Sequence, residues 1–241
     1  MARGGPPEPA HTAFQTSTIT ALLDGSYEGD VSIAELRRHG DLGLGTFNAL
    51  DGEMIALDGE FWRADSAGAL HRAGDDLLTP FAAVTRFAAD ATVPIAEPLS
   101  HAGLIELIGS HLAATGCAAV RLDGAFARVQ ARSVGRQRPP YPRLAEVAQH
   151  EFDLVGVEGS LVGFVFPGAA AALNVPGHHL HVASADRSRG GHVLGVEVEG
   201  GSLTIDRLED VHLELPPGVE LPHAPVDRAS LDRIERGNGR T

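Results

Sequence analysis

Glycine and proline are so frequent in this chain, 29 and 15 times in 241 residues, that few uninterrupted stretches are long enough for a helix. The segments between them are short, apolar and rich in Val, Leu, Phe and Thr, a composition that suits strands. Residues 43–50, 53–57 and 60–64 read as successive strands joined at Asp51-Gly52 and Asp58-Gly59, because Asp-Gly supplies the left-handed residues of a tight hairpin. The repeated Leu-Asp-Gly-Glu unit at 50–53 and 57–60 is a meander signature. The same logic predicts a hairpin of 117–122 and 125–134 around Asp123-Gly124. Further on, 152–157, 161–166, 179–184, 192–198 and 203–208 read as strands, with turns at Arg189-Gly190-Gly191 and Glu199-Gly200-Gly201. Helices are few. Ser32 and Glu35 form a capping box ahead of 33–39, and Gly40 stops it. Leu104, Leu107, Ile108 and Leu112 line one face of a helix within 100–115. Residues 14–23 are apolar and Thr-rich, and 230–236 read as a short polar helix or tail. The fold class is α+β, with mixed, mostly antiparallel sheets.

Hydrophobic content of 43% suits a folded chain, and no apolar run approaches the roughly 20 residues of a membrane span. A formal net charge of −13 argues against nucleic acid, whose phosphates need a basic surface. An anionic ligand would need cations gathered locally. Cys117 is the only cysteine, so no internal disulfide forms and a reducing, cytoplasmic compartment is expected. A thiolate-rich zinc site is excluded too, which leaves histidines and carboxylates as ligands. Residues 1–13 lack the apolar stretch of a signal peptide and read as a flexible tail. The basic, Pro-rich stretch 136–142 reads as a boundary between an N-terminal sheet domain, 14–135, and a C-terminal metal-binding sheet domain, 136–241.

The metal assignment comes from His179, His181 and His192. On a strand the first two face the same side, about 7 Å apart along the backbone. The chain then turns through 185–191, and His192 opens the returning strand across from them. Three neutral imidazoles leave a metal with an open position, as catalysis requires. His178 faces the other way. His101, His111, His150, His212 and His223 have no metal-like spacing and read as surface or satisfied histidines. Spacing alone leaves the metal unnamed. A cupin-type site would carry Glu three or four residues after His-x-His, and Val-Ala-Ser-Ala-Asp follows His181 instead.

The segments GHHLH (177–181) and GGHV (190–193), thirteen residues apart from histidine to histidine, resemble the metal-binding segment of the α-acetolactate decarboxylase family. So do ALLDGSYEGD (21–30) with Ser17-Thr18, HGDLGLGTFNALDGE (39–53), DGEF (58–61), VQARSV (129–134) and VEGSLVGFVF (157–166). The blocks run in family order over residues 14 to 236. The resemblance implies a Zn2+ enzyme, expected as a homodimer of two-sheet subunits, that turns the anionic 2-hydroxy-3-oxo acid 2-acetolactate into acetoin and carbon dioxide. It makes His179, His181 and His192 the ligands, Glu53 and Glu235 active-site carboxylates, Arg132 the active-site cation and Thr46 a substrate-pocket residue. His178 stands where the family usually has an aromatic residue.

The implied chemistry suits these residue types. Decarboxylation leaves an electron pair that the neighbouring ketone can take up as an enediolate, and a zinc on neutral imidazoles keeps the charge to stabilise it. Arg132 would orient the leaving carboxylate, and a glutamic acid of raised pKa would return the proton. Taken without the resemblance, Glu53 is a solvated strand residue, Arg132 an exposed sheet residue and Glu235 a surface glutamate. The alternatives are another three-histidine metal enzyme and a non-catalytic homologue that binds metal or ligand.

Overall fold

The computed structural model describes residues 8–113 and 116–219. Its elements begin with β1 (Thr12–Thr16), α1 (Ile19–Leu23), β2 (Val31–Ser32) and α2 (Ile33–His39). There follow β3 (Leu42–Thr46), β4 (Glu53–Leu57), β5 (Glu60–Ala64), β6 (Leu70–Arg72), β7 (Leu78–Thr79) and β8 (Ala82–Thr85). The second half has β9 (Ala91–Ile95), β10 (Leu99–Ser100), α3 (His101–Ser110) and β11 (Cys117–Val134). It ends with β12 (Gln149–Phe166), β13 (Gly177–Ser184), β14 (Gly190–Leu208) and β15 (Asp210–Glu214). The helix caps are local: the Ser32 hydroxyl accepts from Glu35 N, and the Ser100 hydroxyl from Gly103 N.

Two sheets dominate. The first has seven strands in the order β15-β1-β8-β3-β4-β5-β6, antiparallel except for the parallel pair β1–β15. The second runs β10-β14-β11-β12-β13 with β9 beside β14, and a β13–β14 pairing closes it on itself. Each sheet draws strands from both sides of 136–142, which joins β11 to β12, paired along nearly their whole length. The expected tail also carries structure from its end inward: Glu8 accepts from His39 and His212, and Thr12 and Ala13 are buried in β1.

Alternation along the strands assigns faces. Leu42, Leu44, Ile55 and Leu57 of the first sheet pack against Ala119, Val162, Phe164 and Phe166 of the second, forming the inter-sheet core. Met54, Ala56, Phe61 and Val84 point the other way and pack with Ile33 and Leu36 of α2. The second sheet's outer core gathers Val120, Leu122, Leu161, Leu180 and Leu203 against Leu104 and Ile108 of α3. Each such large side chain, once buried, contributes roughly 1.5–3 kcal/mol. Among the described residues no helix is long and apolar enough to cross a membrane.

Two expected turns, at Asp123-Gly124 and Glu199-Gly200-Gly201, are not turns. The chain runs straight through Asp123-Gly124 within β11, through Gly159 within β12 and through Gly200-Gly201 within β14. The cause is non-local. Gly124 pairs with both Gly159 and Gly201, and a Cβ at Gly124 would collide with the Gly200 carbonyl oxygen. The glycines let three backbones approach closely in one row, so here they serve packing. By contrast Asp58-Gly59 is a true hairpin turn, with both residues left-handed (φ 54 and 73) and Leu57 paired with Glu60. Residues 47–50 leave the expected strand as a short 3-10 turn.

Candidate metal centre

β13 presents His179 and His181 on the face it shares with Ala183, toward the first sheet, while Leu180 and Val182 join the outer core. His192 arrives through register: it is the Cα partner of His181 on one side and of Arg132 on the other. Two bulges aim these side chains inward. Gln130 pairs with Gly195 and Ala131 with Val193, leaving Leu194 as an extra residue. Val196 and Val198 therefore share the outer core with Val193, and His192 turns to the inter-sheet side. On β11, Phe126 and Arg128 oppose Val198 and Glu197, so Ala127 is the extra residue. Phe126, Val129 and Ala131 then face the outer core, and Arg132 faces inward.

The three imidazoles form a near-equilateral cluster, with ring centroids 5.1, 5.0 and 5.3 Å apart. One nitrogen from each lies within 4.8 Å of the others, and all three residues are buried. The His181 Nδ1 sits 2.7 Å from the Met54 carbonyl oxygen, which fixes that ring and leaves Nε2 for the site. His179 Nδ1 and His181 Nε2 are buried with no hydrogen-bond partner among the described residues. Burial holds His179 well below its usual pKa and brings His181 down to about 3, so both are neutral donors. Two buried, neutral imidazoles, converging with a third from His192, suit a divalent metal ion.

Glu53 comes from the first sheet, on the same face of β4 as Ile55 and Leu57. Its Oε1 accepts from Arg132 Nη1 at 2.6 Å, and Oε2 lies 3.7 Å from His181 Nε2. Glu53 is 7% exposed and Arg132 6%. Burial raises the Glu53 pKa although Arg132 opposes it. Thr46 is buried, and its hydroxyl donates to the Gly52 carbonyl, bracing the turn that leads to Glu53. Glu235 lies outside the described residues.

A pocket opens on this cluster. His179, Arg132, Glu53 and Thr46 form its polar end, and Ile19, Leu22, Leu50, Phe81, Val134 and Leu144 its apolar wall. The sequence offers little sign of that wall. Leu50 reaches it because Ala49 and Leu50 are both left-handed (φ 62 and 54), a conformation non-glycine residues rarely adopt. Tyr27 O and Gln137 N hold the Ala49 backbone there. The orienting Met54 carbonyl carries no side-chain signal at all. His178, on the opposite face of β13, has its pKa lowered by burial and by His101.

Comparison with known proteins gives one family by sequence and by fold. A family model described as alpha-acetolactate decarboxylase matches residues 13–227. The alpha-acetolactate decarboxylase of Brevibacillus brevis is 37% identical, over 95% of this chain and 82% of that protein. The Methylococcus capsulatus protein of the same name is 41% identical over 86% of this chain and 80% of its own length. The crystal structure of alpha-acetolactate decarboxylase from Bacillus subtilis strain 168 superposes with a TM-score of 0.88 at 36% identity, covering 94% of this chain and 99% of that one.

Proposed function

The chain belongs to the alpha-acetolactate decarboxylase family and decarboxylates acetolactate; from that premise we propose that the reaction runs at the three-histidine cluster with zinc as the metal. The observation that carries this reading is the meeting of three buried imidazoles beside the Arg132–Glu53 pair. His179, His181 and His192 would hold the metal. It would supply a fixed positive charge beside the oxygen that takes up the electron pair released with carbon dioxide.

The chain's own groups account for the rest. Arg132 is a buried cation inside an acidic protein, held beside Glu53, and would orient the substrate carboxylate. The bond between that carboxyl carbon and C2 breaks, carbon dioxide leaves, and one proton must be returned to C2. Glu53 is the described carboxyl placed to return it. Its raised pKa favours a bound proton, and Oε2, the oxygen turned toward His181, is the atom that would carry it. The apolar wall matches the substrate's methyl groups and excludes water from the step.

A cytoplasmic location belongs to the same reading, supported by the lone thiol of Cys117. So does a homodimer, which rests on the family resemblance and is read from the mass in solution. The test is direct: zinc-loaded protein is incubated with racemic 2-acetolactate and acetoin is measured. Acetoin should form well above the spontaneous rate, and Glu53→Gln should keep its zinc while losing most of that turnover. Acetoin at the spontaneous rate would leave a non-catalytic homologue. Near-normal turnover in the variant would remove Glu53 from the proton transfer.

A further inference from the structure

A second group of metal-type donors lies away from the three histidines, where the N-terminal strand of the first sheet crosses the second. His11, Asp90 and Asp206 each offer one atom, all within 4.8 Å of one another. They come from three separate segments: His11 immediately precedes β1, Asp90 immediately precedes β9, and Asp206 lies in β14. His11 Nδ1 is 2.6 Å from Asp206 Oδ1 and 3.9 Å from Asp90 Oδ2. We propose that His11, Asp90 and Asp206 bind a second divalent cation, of the zinc class, that staples the N-terminal strand to the second sheet.

Three observations favour a cation over a simple histidine–aspartate pair. Charge is the first. Asp206 is fully buried, and with Asp90 it places two carboxylates around one imidazole. A protonated His11 leaves that cluster one negative charge in excess, whereas a dication with neutral His11 balances it. The second is orientation. Asp206 Oδ2 accepts from Ala88 N at 3.0 Å, and Asp90 Oδ2 from Arg207 N at 2.6 Å, so backbone groups hold both carboxylates, as ligating carboxylates usually are held. The third is backbone geometry. His11 is left-handed (φ 62), and its carbonyl accepts from Glu209 N and Asp210 N. Its side chain is thereby anchored beside Asp206. One nitrogen and two carboxylate oxygens suit zinc or manganese, with water completing the shell.

Equilibrium dialysis of the full-length chain against Zn2+, followed by elemental analysis, tests this. Wild type should bind two zinc ions per chain. A His179→Ala/His181→Ala/His192→Ala variant should keep one. His11→Gln and Asp90→Asn should each drop the wild-type count from two to one while acetoin production persists. Asp90 is partly exposed, and Asn still accepts from Arg207 N, so Asp90→Asn remains informative if His11→Gln folds poorly. In the triple variant zinc should raise Tm, and adding Asp90→Asn should abolish that rise. One zinc per chain in wild type, or none in the triple variant, would overturn the proposal and leave an ion pair only. The two counts come from different variants, so failure here leaves the three-histidine reading standing.

Discussion

Arg132 and Glu53 are nearly sealed from water, so removing either has consequences beyond lost chemistry. Arg132→Leu strands a buried carboxylate beside neutral imidazoles; the expected cost is about 3–5 kcal/mol, less whatever Glu53 recovers by taking a proton. Denaturant unfolding measures it, and a loss below about 1 kcal/mol would mean that the pair is not buried as described. How far each residue can be read from sequence follows from how local its signal is. His179 and His181 announce themselves by period two, and His192 by its place after a turn. Arg132 does not stand out: it shares a strand face with Arg128 and Gln130, of which Arg128 is exposed and Gln130 partly so. Arg132 differs because Glu53 of the first sheet lies against it, whereas Arg128 pairs with the exposed Asp153 of its own sheet. Glu53 is hidden the same way, becoming a site residue only once β4 is laid over the histidines. For both, the resemblance rather than the pattern made the assignment.

At the scale of elements, identical dipeptides took opposite forms. Leu57-Asp58-Gly59 turns because its flanking strands pair with each other, whereas Leu122-Asp123-Gly124 runs on because neighbouring strands flank it on both sides. Nothing within a few residues separates these cases, which is why the long β11, β12 and β14 were read as shorter pieces. Gly124→Ala should therefore cost about 1–3 kcal/mol by overpacking the glycine row, a loss visible as a lower denaturant midpoint. An unchanged midpoint would show that the row has room. The turn between β13 and β14, which sets the register of His192, carries its own pH signature. Hydrogen bonds from the Ser184 and Ser188 side chains bring the Asp186 pKa down to about 2 from an ordinary 3.8. A carboxyl depressed on folding contributes stability above its unfolded pKa and loses it as pH falls through its folded one. Asp186→Asn should thus lower Tm near neutrality, with the gap from wild type closing between about pH 4 and pH 2. A gap independent of pH would assign the effect to something other than the charge.

For the molecule as a whole, the α+β class was legible because glycine, proline and short apolar segments constrain it locally. What could not be read is which sheet face covers which, and the site depends on that. The candidate metal centre lies between the sheets, with its three histidines and Arg132 from one and Glu53 and Thr46 from the other. Stretch 136–142, which looked like a seam, is a link within the second sheet, and Glu235 lies outside the described residues. Function on this account needs both sheets in place and a metal at their junction. The most direct measurement follows acetoin formation from 2-acetolactate by wild type and His192→Ala, each stripped with a chelator and titrated with zinc. Activity should return in wild type as zinc binds, while His192→Ala should bind one zinc fewer and stay at the spontaneous rate. Full activity in stripped protein, or wild-type activity in His192→Ala, would contradict a reaction that runs at the three histidines.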